Sequence, residues 1–309
     1  SRTGCPAFLS KFIVIGGKTP LRTKIFTDTT CDLSPERRAA HDITALPLHV
    51  FLGETDYLDG VDVTPQQLFD YALQNKQLPK TAAVGEYDFE NAFREALDNG
   101  YDELVYTGLS SKLSSTYQNA CLARDSLIEK GYDAKRFHLV DSLQLSSGTA
   151  HLLLRAADIV ENGGTAQQAE DDMRATLPRL STHFIVDTLQ YLHMGGRCSS
   201  IAFLAGSMLK LHPQINMIDG AMIAGEKFRG KLDRCIAQYE KKTVFDILDQ
   251  IEPERIFLTH TLPDEPVEAL AEEIRKLGYF KEVLCERAGA TIASHCGPGT
   301  IGFLTIHKA

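Results

Sequence analysis

The sequence lacks most of the features that would mark a membrane, nucleic-acid or metal protein. None of its 309 residues falls in an apolar run approaching the roughly 18–20 that a membrane-spanning helix needs. The early burst Phe12-Ile13-Val14-Ile15 is only strand length, too short even for the apolar core of a signal peptide. Positive charge is in deficit: 32 basic against 41 acidic residues leave a net charge of −9. That is the opposite of a nucleic-acid footprint, and it disfavours stable residence on an anionic membrane. The seven cysteines (5, 31, 121, 198, 235, 285 and 296) are odd in number, form no CxxC pair and stand at no zinc-like spacing from histidine. Neither a disulfide framework nor a metal site is expected, and a reducing, cytoplasmic compartment is. The absence of tryptophan excludes nothing.

Several catalytic signatures are also missing. There is no GxSxG elbow for a serine hydrolase and no protein-kinase motif set. Gly17-Lys18-Thr19 has the tail of a phosphate-binding loop, but the glycine required five residues earlier is Phe12. Gly297, Gly299 and Gly302 match a GxGxxG spacing, yet no room for a βαβ unit remains after them.

What is present fits a two-domain α/β protein. Hydrophobic residues make up 43%, enough for a large core. Residues 1–22 show no helix or strand period and read as a leader or an appended extension outside the fold. From residue 23 to about 175, strands and helices alternate, which predicts a doubly wound, mostly parallel sheet. Strands are expected at Lys24–Asp28, Ile43–Phe51, Glu103–Thr107 and Phe137–Val140. Helices are expected from Ser34-Pro35, from Thr64-Pro65 to Asn75, over Asp88–Asn99, Thr116–Lys130 and Ser146–Asn162, and from Thr165 to Thr176. Residues 176–309 read as an α+β domain with an antiparallel or mixed sheet. Its strands are His183–Thr188, Gln214–Ile218, Ala221–Phe228, Arg255–His260, Glu282–Arg287 and Gly302–His307. An Asp219-Gly220 hairpin turn joins two of them, and long helices cover Lys231–Gln250 and Glu265–Leu277.

Ligands of open α/β sheets gather at the carboxyl ends of strands. Three polar segments stand there: Asp28-Thr29-Thr30, Leu109 to Thr116, and Asp141-Ser142. Five hydroxyl residues in positions 110–116 exceed what one helix cap uses, although Ser114, Ser115 and Thr116 also suit that cap. His295 precedes a Gly-rich turn that would let backbone approach a ligand. Gly195-Gly196-Arg197 sets a fixed positive charge at a turn, suited to an anion or to solvent. From the residues alone the site is a small anionic head-group site of hydroxyls and a histidine. A Ser111/His295 acyl hydrolase is the competing enzyme reading.

The segments KIFTDTTCDL (24–33), LPKTAAV (78–84), LSSKLSSTYQNA (109–120), DS (141–142), LHMGGRCSS (192–200), GEKFRGKLDR (225–234) and ASHCGPGTIG (293–302) together resemble the DegV family over residues 23–309. The resemblance implies two domains with a long-chain fatty acid bound between them. It implies a non-catalytic subunit that needs no cofactor and presents the carboxylate to a separate ATP-dependent fatty acid kinase subunit, with transient membrane contact open to it. The carboxylate would meet Thr81, Ser111 and His295, with Ser110 and Ser114 as competitors for the serine role. Arg197, and more weakly Arg229, would serve phosphotransfer or partner contact. A carrier or sensor of another hydrophobic carboxylate, without a kinase, is the remaining alternative. Two positions depart from the family pattern: Ala82-Ala83-Val84 after Thr81 lacks a second hydroxyl, and Ser115 replaces a glycine.

Overall fold

The computed structural model describes residues 21–198 and 211–309. In chain order the elements are β1 (Thr23–Asp28), α1 (Pro35–Ala40), β2 (Ile43–Leu46), β3 (His49–Leu52), β4 (Thr55–Leu58), α2 (Pro65–Asn75), β5 (Lys80–Ala82), α3 (Glu86–Asp98), β6 (Glu103–Gly108), α4 (Thr116–Glu129), β7 (Phe137–Asp141), α5 (Ser147–Glu161) and α6 (Ala166–Thr176). There follow β8 (Leu180–Ser181), β9 (His183–Ile185), α7 (Gln190–Gly195), β10 (Leu211–Ile218), β11 (Ala221–Arg229), α8 (Leu232–Thr243), β12 (Arg255–His260), α9 (Asp264–Lys276), β13 (Glu282–Arg287), α10 (Ala290–Cys296) and β14 (Ile301–Ile306). The Gly17-Lys18-Thr19 segment and all of the expected leader except Leu21 and Arg22 lie outside the described residues. Arg22 is docked on the body: its amide donates to Asp102 and its guanidinium lies 4.6 Å from the Tyr101 ring centre.

The α/β class and the two-part layout are as expected. Strands β2-β1-β6-β7 form a fully parallel sheet. Strands β11-β10-β9-β14-β12-β13 form a mixed sheet in which only the β12–β13 pairing is parallel. Helix α5 is the shared layer, touching β1 and β6 on one side and β12 and β14 on the other. Its first eight residues are all buried, and the polar ones are paired inside: Ser147 with Thr259, Thr149 with Ser142 and His151 with the Leu304 carbonyl. Local signals hold where side chain and backbone agree. Thr64 and Gln67 form a reciprocal capping box with Pro65 in the first turn of α2, and Thr165 and Gln168 do the same for α6. The Asp219-Gly220 turn takes positive φ at both residues, 47° and 82°, and joins β10 to β11.

Three expectations change. The single strand Ile43–Phe51 is two strands broken at Pro47, which has no N–H to donate and fixes its own φ. The chain after Pro47 leaves the parallel sheet and forms a second, antiparallel one, β4-β3-β5, which the sequence pattern did not announce. The helix expected over Lys231–Gln250 ends at Thr243; Val244 turns out of helical geometry (φ −125°, ψ −65°) and a 3-10 segment, Phe245–Gln250, follows. Thr243, Val244 and Phe245 are weak helix formers, and Val244 is fully buried, so tertiary packing takes it. His295 precedes the glycine turn as expected, but in the last turn of a short helix, α10, where no helix was expected.

Candidate functional site

The three polar segments at the strand ends are largely knitted to one another. The Asp28 carboxylate accepts from the amides of Thr30 and Leu109 and from the Tyr106 hydroxyl, and burial pushes its carboxyl above the ordinary range. Ser142 donates to the Gly108 carbonyl, and Asp141 accepts from the amides of Ser111 and Leu143. Ser110 is buried and donates to the carbonyl of Gly220, fastening the β10–β11 hairpin tip to this loop. Ser111 is exposed and does not line the cleft described next.

That cleft lies between the two halves of the chain. Its walls are Leu48, Leu109, Leu113 and Leu145 from the first half with Met222 and Ile292 from the second. Its polar groups are Thr81, Ser114, Thr291, His295 and, at the mouth, Arg197. It is a narrow slot. Its free space, counted together with the solvent at its opening, is about 510 Å³. A second space of about 310 Å³ lies behind it and shares the side chains of Leu145, Ile292 and Cys296.

Thr81 and His295 are in direct contact: Thr81 Oγ1 lies 2.8 Å from His295 Nε2. Strand β5 brings Thr81 opposite Val50, a wholly buried residue of β3. Helix α10 brings His295, and a glycine makes room for it. A Cβ at Gly195, the last residue of α7, would come within 2.6 Å of His295 Nδ1. Burial, with the positive charge of Arg197 second, pulls the imidazole down to about 4, so it is neutral at physiological pH. Nδ1 is buried with no hydrogen-bond partner among the described residues. An orphaned N–H is rarer than an orphaned acceptor, so the proton belongs on Nε2, which donates to Thr81 Oγ1. The Thr81 hydroxyl hydrogen is then free to point into the cleft, polarised by the imidazole behind it.

Ser114 shares a hydrogen bond with Thr116 Oγ1 at 2.9 Å and faces the same cleft. Of the three serines singled out in the sequence, it is the one that joins Thr81 and His295. Arg197 is exposed, held at the mouth by donation to the Gly195 carbonyl at 2.6 Å. Arg229 ends β11, nine residues from Gly220 at the hairpin tip, or about 30 Å along an extended strand. Thr291 was not singled out by its sequence. It lies one helical turn before His295 on α10, lines the cleft, and its hydroxyl is buried without a partner among the described residues. The i, i+4 spacing to His295 is the signal that could have found it. No serine hydroxyl of the 110–116 loop is bonded to His295, so the nucleophile–base contact of the hydrolase reading is missing. Among the described residues no cluster of three or more histidine, cysteine or acidic side chains could hold a metal ion, and no helix is long and apolar enough to cross a membrane.

Fold and site together define a two-part α/β protein with a mainly apolar slot between its halves, lined also by hydroxyls and a neutral histidine. The family model described as "Uncharacterised protein, DegV family" matches residues 22–308, and the chain belongs to the DegV family. A DegV domain-containing protein of Streptococcus pyogenes serotype M1 is 32% identical over 293 residues, covering 91% of this chain and 97% of the relative. Among solved structures, the fatty-acid-binding DegV family protein from Thermus thermophilus superposes with a TM-score of 0.83 at 29% identity, covering 93% of this chain and all of that one. The stearic acid-binding protein from Eubacterium ventriosum superposes with a TM-score of 0.80 at 27% identity, covering 93% and 98%.

Proposed function

We propose that this chain binds one long-chain fatty acid in the slot between its halves. The carboxyl group sits at Thr81, Ser114 and His295, and a separate ATP-dependent kinase subunit phosphorylates it there. The observation that carries the reading is the Thr81–His295 pair lining a mainly apolar slot, in a chain related to proteins that bind fatty acids. Burying an acyl chain is worth roughly 0.8 kcal/mol per methylene, so about sixteen carbons contribute on the order of 10 kcal/mol before the costs of association. The tail runs along Leu113, Met222 and Ile292 toward the space behind Leu145.

Hydroxyls, with that of Thr81 polarised by the neutral imidazole behind it, hold a carboxylate by hydrogen bonds without pairing it to a buried cation. That preserves its nucleophilicity for the next step, in which a carboxylate oxygen attacks the γ-phosphorus of ATP and ADP leaves, giving an acyl-phosphate. Arg197, exposed at the mouth, suits the charge of the incoming phosphates.

Native mass spectrometry of the purified protein should find one fatty acid of about 14–18 carbons, and delipidated protein should take up oleate at one per chain. Absence of both sinks the reading. Adding the cognate kinase subunit and ATP, then trapping acyl-phosphate with hydroxylamine, tests presentation separately. Lipid bound but never phosphorylated leaves a carrier and removes the kinase step.

A further inference from the structure

We propose that Asp59 is a positioning residue of this site: reaching across from the first half of the chain, it grips the helix that carries His295 and so sets the imidazole against Thr81. The positioning is read from hydrogen bonds alone; what the positioned imidazole serves rests on the fatty-acid reading.

Asp59 is 1% exposed. One carboxylate oxygen accepts from the amide of Ala290 at 2.7 Å; the other accepts from the amide of Thr291 at 3.2 Å and from the Thr29 hydroxyl at 3.0 Å. Ala290 and Thr291 are the first two residues of α10, whose N–H groups have no partner inside the helix. With seven residues, α10 is too short to hold its own direction, so its axis is set by what binds its ends. At the far end the partner is Thr81.

Both grips come from one small sheet. Asp59 directly follows β4, Thr81 lies in β5, and both strands pair with β3. The antiparallel sheet of the first half thus holds a helix of the second half by a carboxylate at its start and a hydroxyl at its last turn. A rotation or slide of α10 that broke the first contact would carry His295 away from the second.

Gly289 gives an independent sign of this grip. Its φ of −66° suits any residue, so backbone freedom does not require glycine here. A Cβ would come within 3.2 Å of Asp59 Oδ1 and 3.3 Å of Asp32 Oδ1, and Asp32 already accepts the Gly289 amide at 2.8 Å. A side chain at this position would be tight against both carboxylates, which would have to give by a few tenths of an ångström at the start of α10. Asp32 also accepts from Ser146, a residue held at φ 54°, beside the cleft residue Leu145.

The test uses Asp59→Ala and Gly289→Ala in the full chain, with two readouts besides melting. The first is the NMR titration of His295 without lipid. The wild type should stay neutral down to about 4, and the variants should titrate closer to the ordinary value of about 6.5 as the ring is released toward solvent. The second is the affinity ratio of palmitate to hexadecanol, equal in length but differing in head group. The variants should lose roughly tenfold of the preference for the acid while binding the alcohol as before, the loss expected for one or two misplaced polar contacts. Variants that melt earlier but keep the wild-type titration and the wild-type ratio overturn the proposal, leaving Asp59 a cap for stability only. If Asp59→Ala does not fold, Gly289→Ala decides by the same readouts. If the wild type binds neither lipid, the fatty-acid reading fails, and the titration still decides the positioning.

Discussion

Thr81 Oγ1 and His295 Nε2 stand 2.8 Å apart although 214 residues separate them in the chain. The contact joins the antiparallel sheet of the first half to a short helix of the second, in the lining of a mainly apolar slot.

Replacing Thr81 by valine keeps the branched shape and removes the hydroxyl. Fatty-acid affinity should fall about tenfold, the effect of one lost hydrogen bond of about 1–2 kcal/mol. Thr81→Ser should restore most of it. Displacement of a fluorescent fatty acid measures both, and equal affinity in wild type and Thr81→Val would remove Thr81 from the head-group site.

Ser111 and Ser114 separate the family resemblance from the geometry. Ser114 faces the slot and Ser111 is exposed outside it. Ser114→Ala should weaken fatty-acid binding several-fold, and Ser111→Ala should leave it unchanged. The reverse result would mean that the 110–116 loop rearranges when lipid enters.

Gly195→Ala should perturb the site without disturbing the fold. The helical backbone of α7 accepts alanine, but the new Cβ would lie 2.6 Å from His295 Nδ1 and must push the ring. A drop of roughly tenfold in carboxylate binding at nearly unchanged melting temperature is expected, since one displaced imidazole loses one or two contacts. Unchanged binding would show that the ring has room to yield.

Thr291→Val should stabilise the lipid-free protein. Its hydroxyl is buried without a partner among the described residues, an arrangement that costs about 1–3 kcal/mol, and valine removes the cost at equal volume. Denaturant unfolding of delipidated protein measures it; a loss of stability would mean that the hydroxyl has a partner in solution.

Glu240 supplies the pH prediction. Burial, with the charge of Glu273 second, raises its carboxyl to about 7. The folded state therefore keeps a proton that the unfolded chain releases above the ordinary carboxylate value. The stabilising contribution is full below about 4.5 and is lost as pH rises through 7. Glu240→Gln should be more stable than wild type at pH 8, by on the order of 2 kcal/mol, with the gap closing toward pH 4. Unfolding curves at the two pH values check the sign.

Much of this architecture was legible in the sequence because its causes are local. The Thr64-Pro65 and Thr165 helix starts, the Asp219-Gly220 hairpin and the strand–helix alternation each depend on neighbours within a few residues. The strand at Lys80–Ala82 was not legible: it is three residues long, carries no periodic pattern, and exists only because β3 offers it an edge. Helix α8 was read too long because Val244 leaves the helix for a core contact that no local signal reports.

The site divides along the same line. The sequence by itself determined the inventory: a hydroxyl-rich loop, a histidine before a glycine turn, an arginine after a glycine pair, and enough apolar residues to build a slot. Tertiary structure alone decided which of them meet. It directs Ser110 to the hairpin, leaves Ser111 outside the slot, turns Ser114 and Thr291 toward it, and joins Thr81 to His295. The physical reason is that capping and turn formation are settled within a few residues. The partner of a buried hydroxyl or imidazole is settled by how sheets and helices pack, across separations that no local pattern encodes.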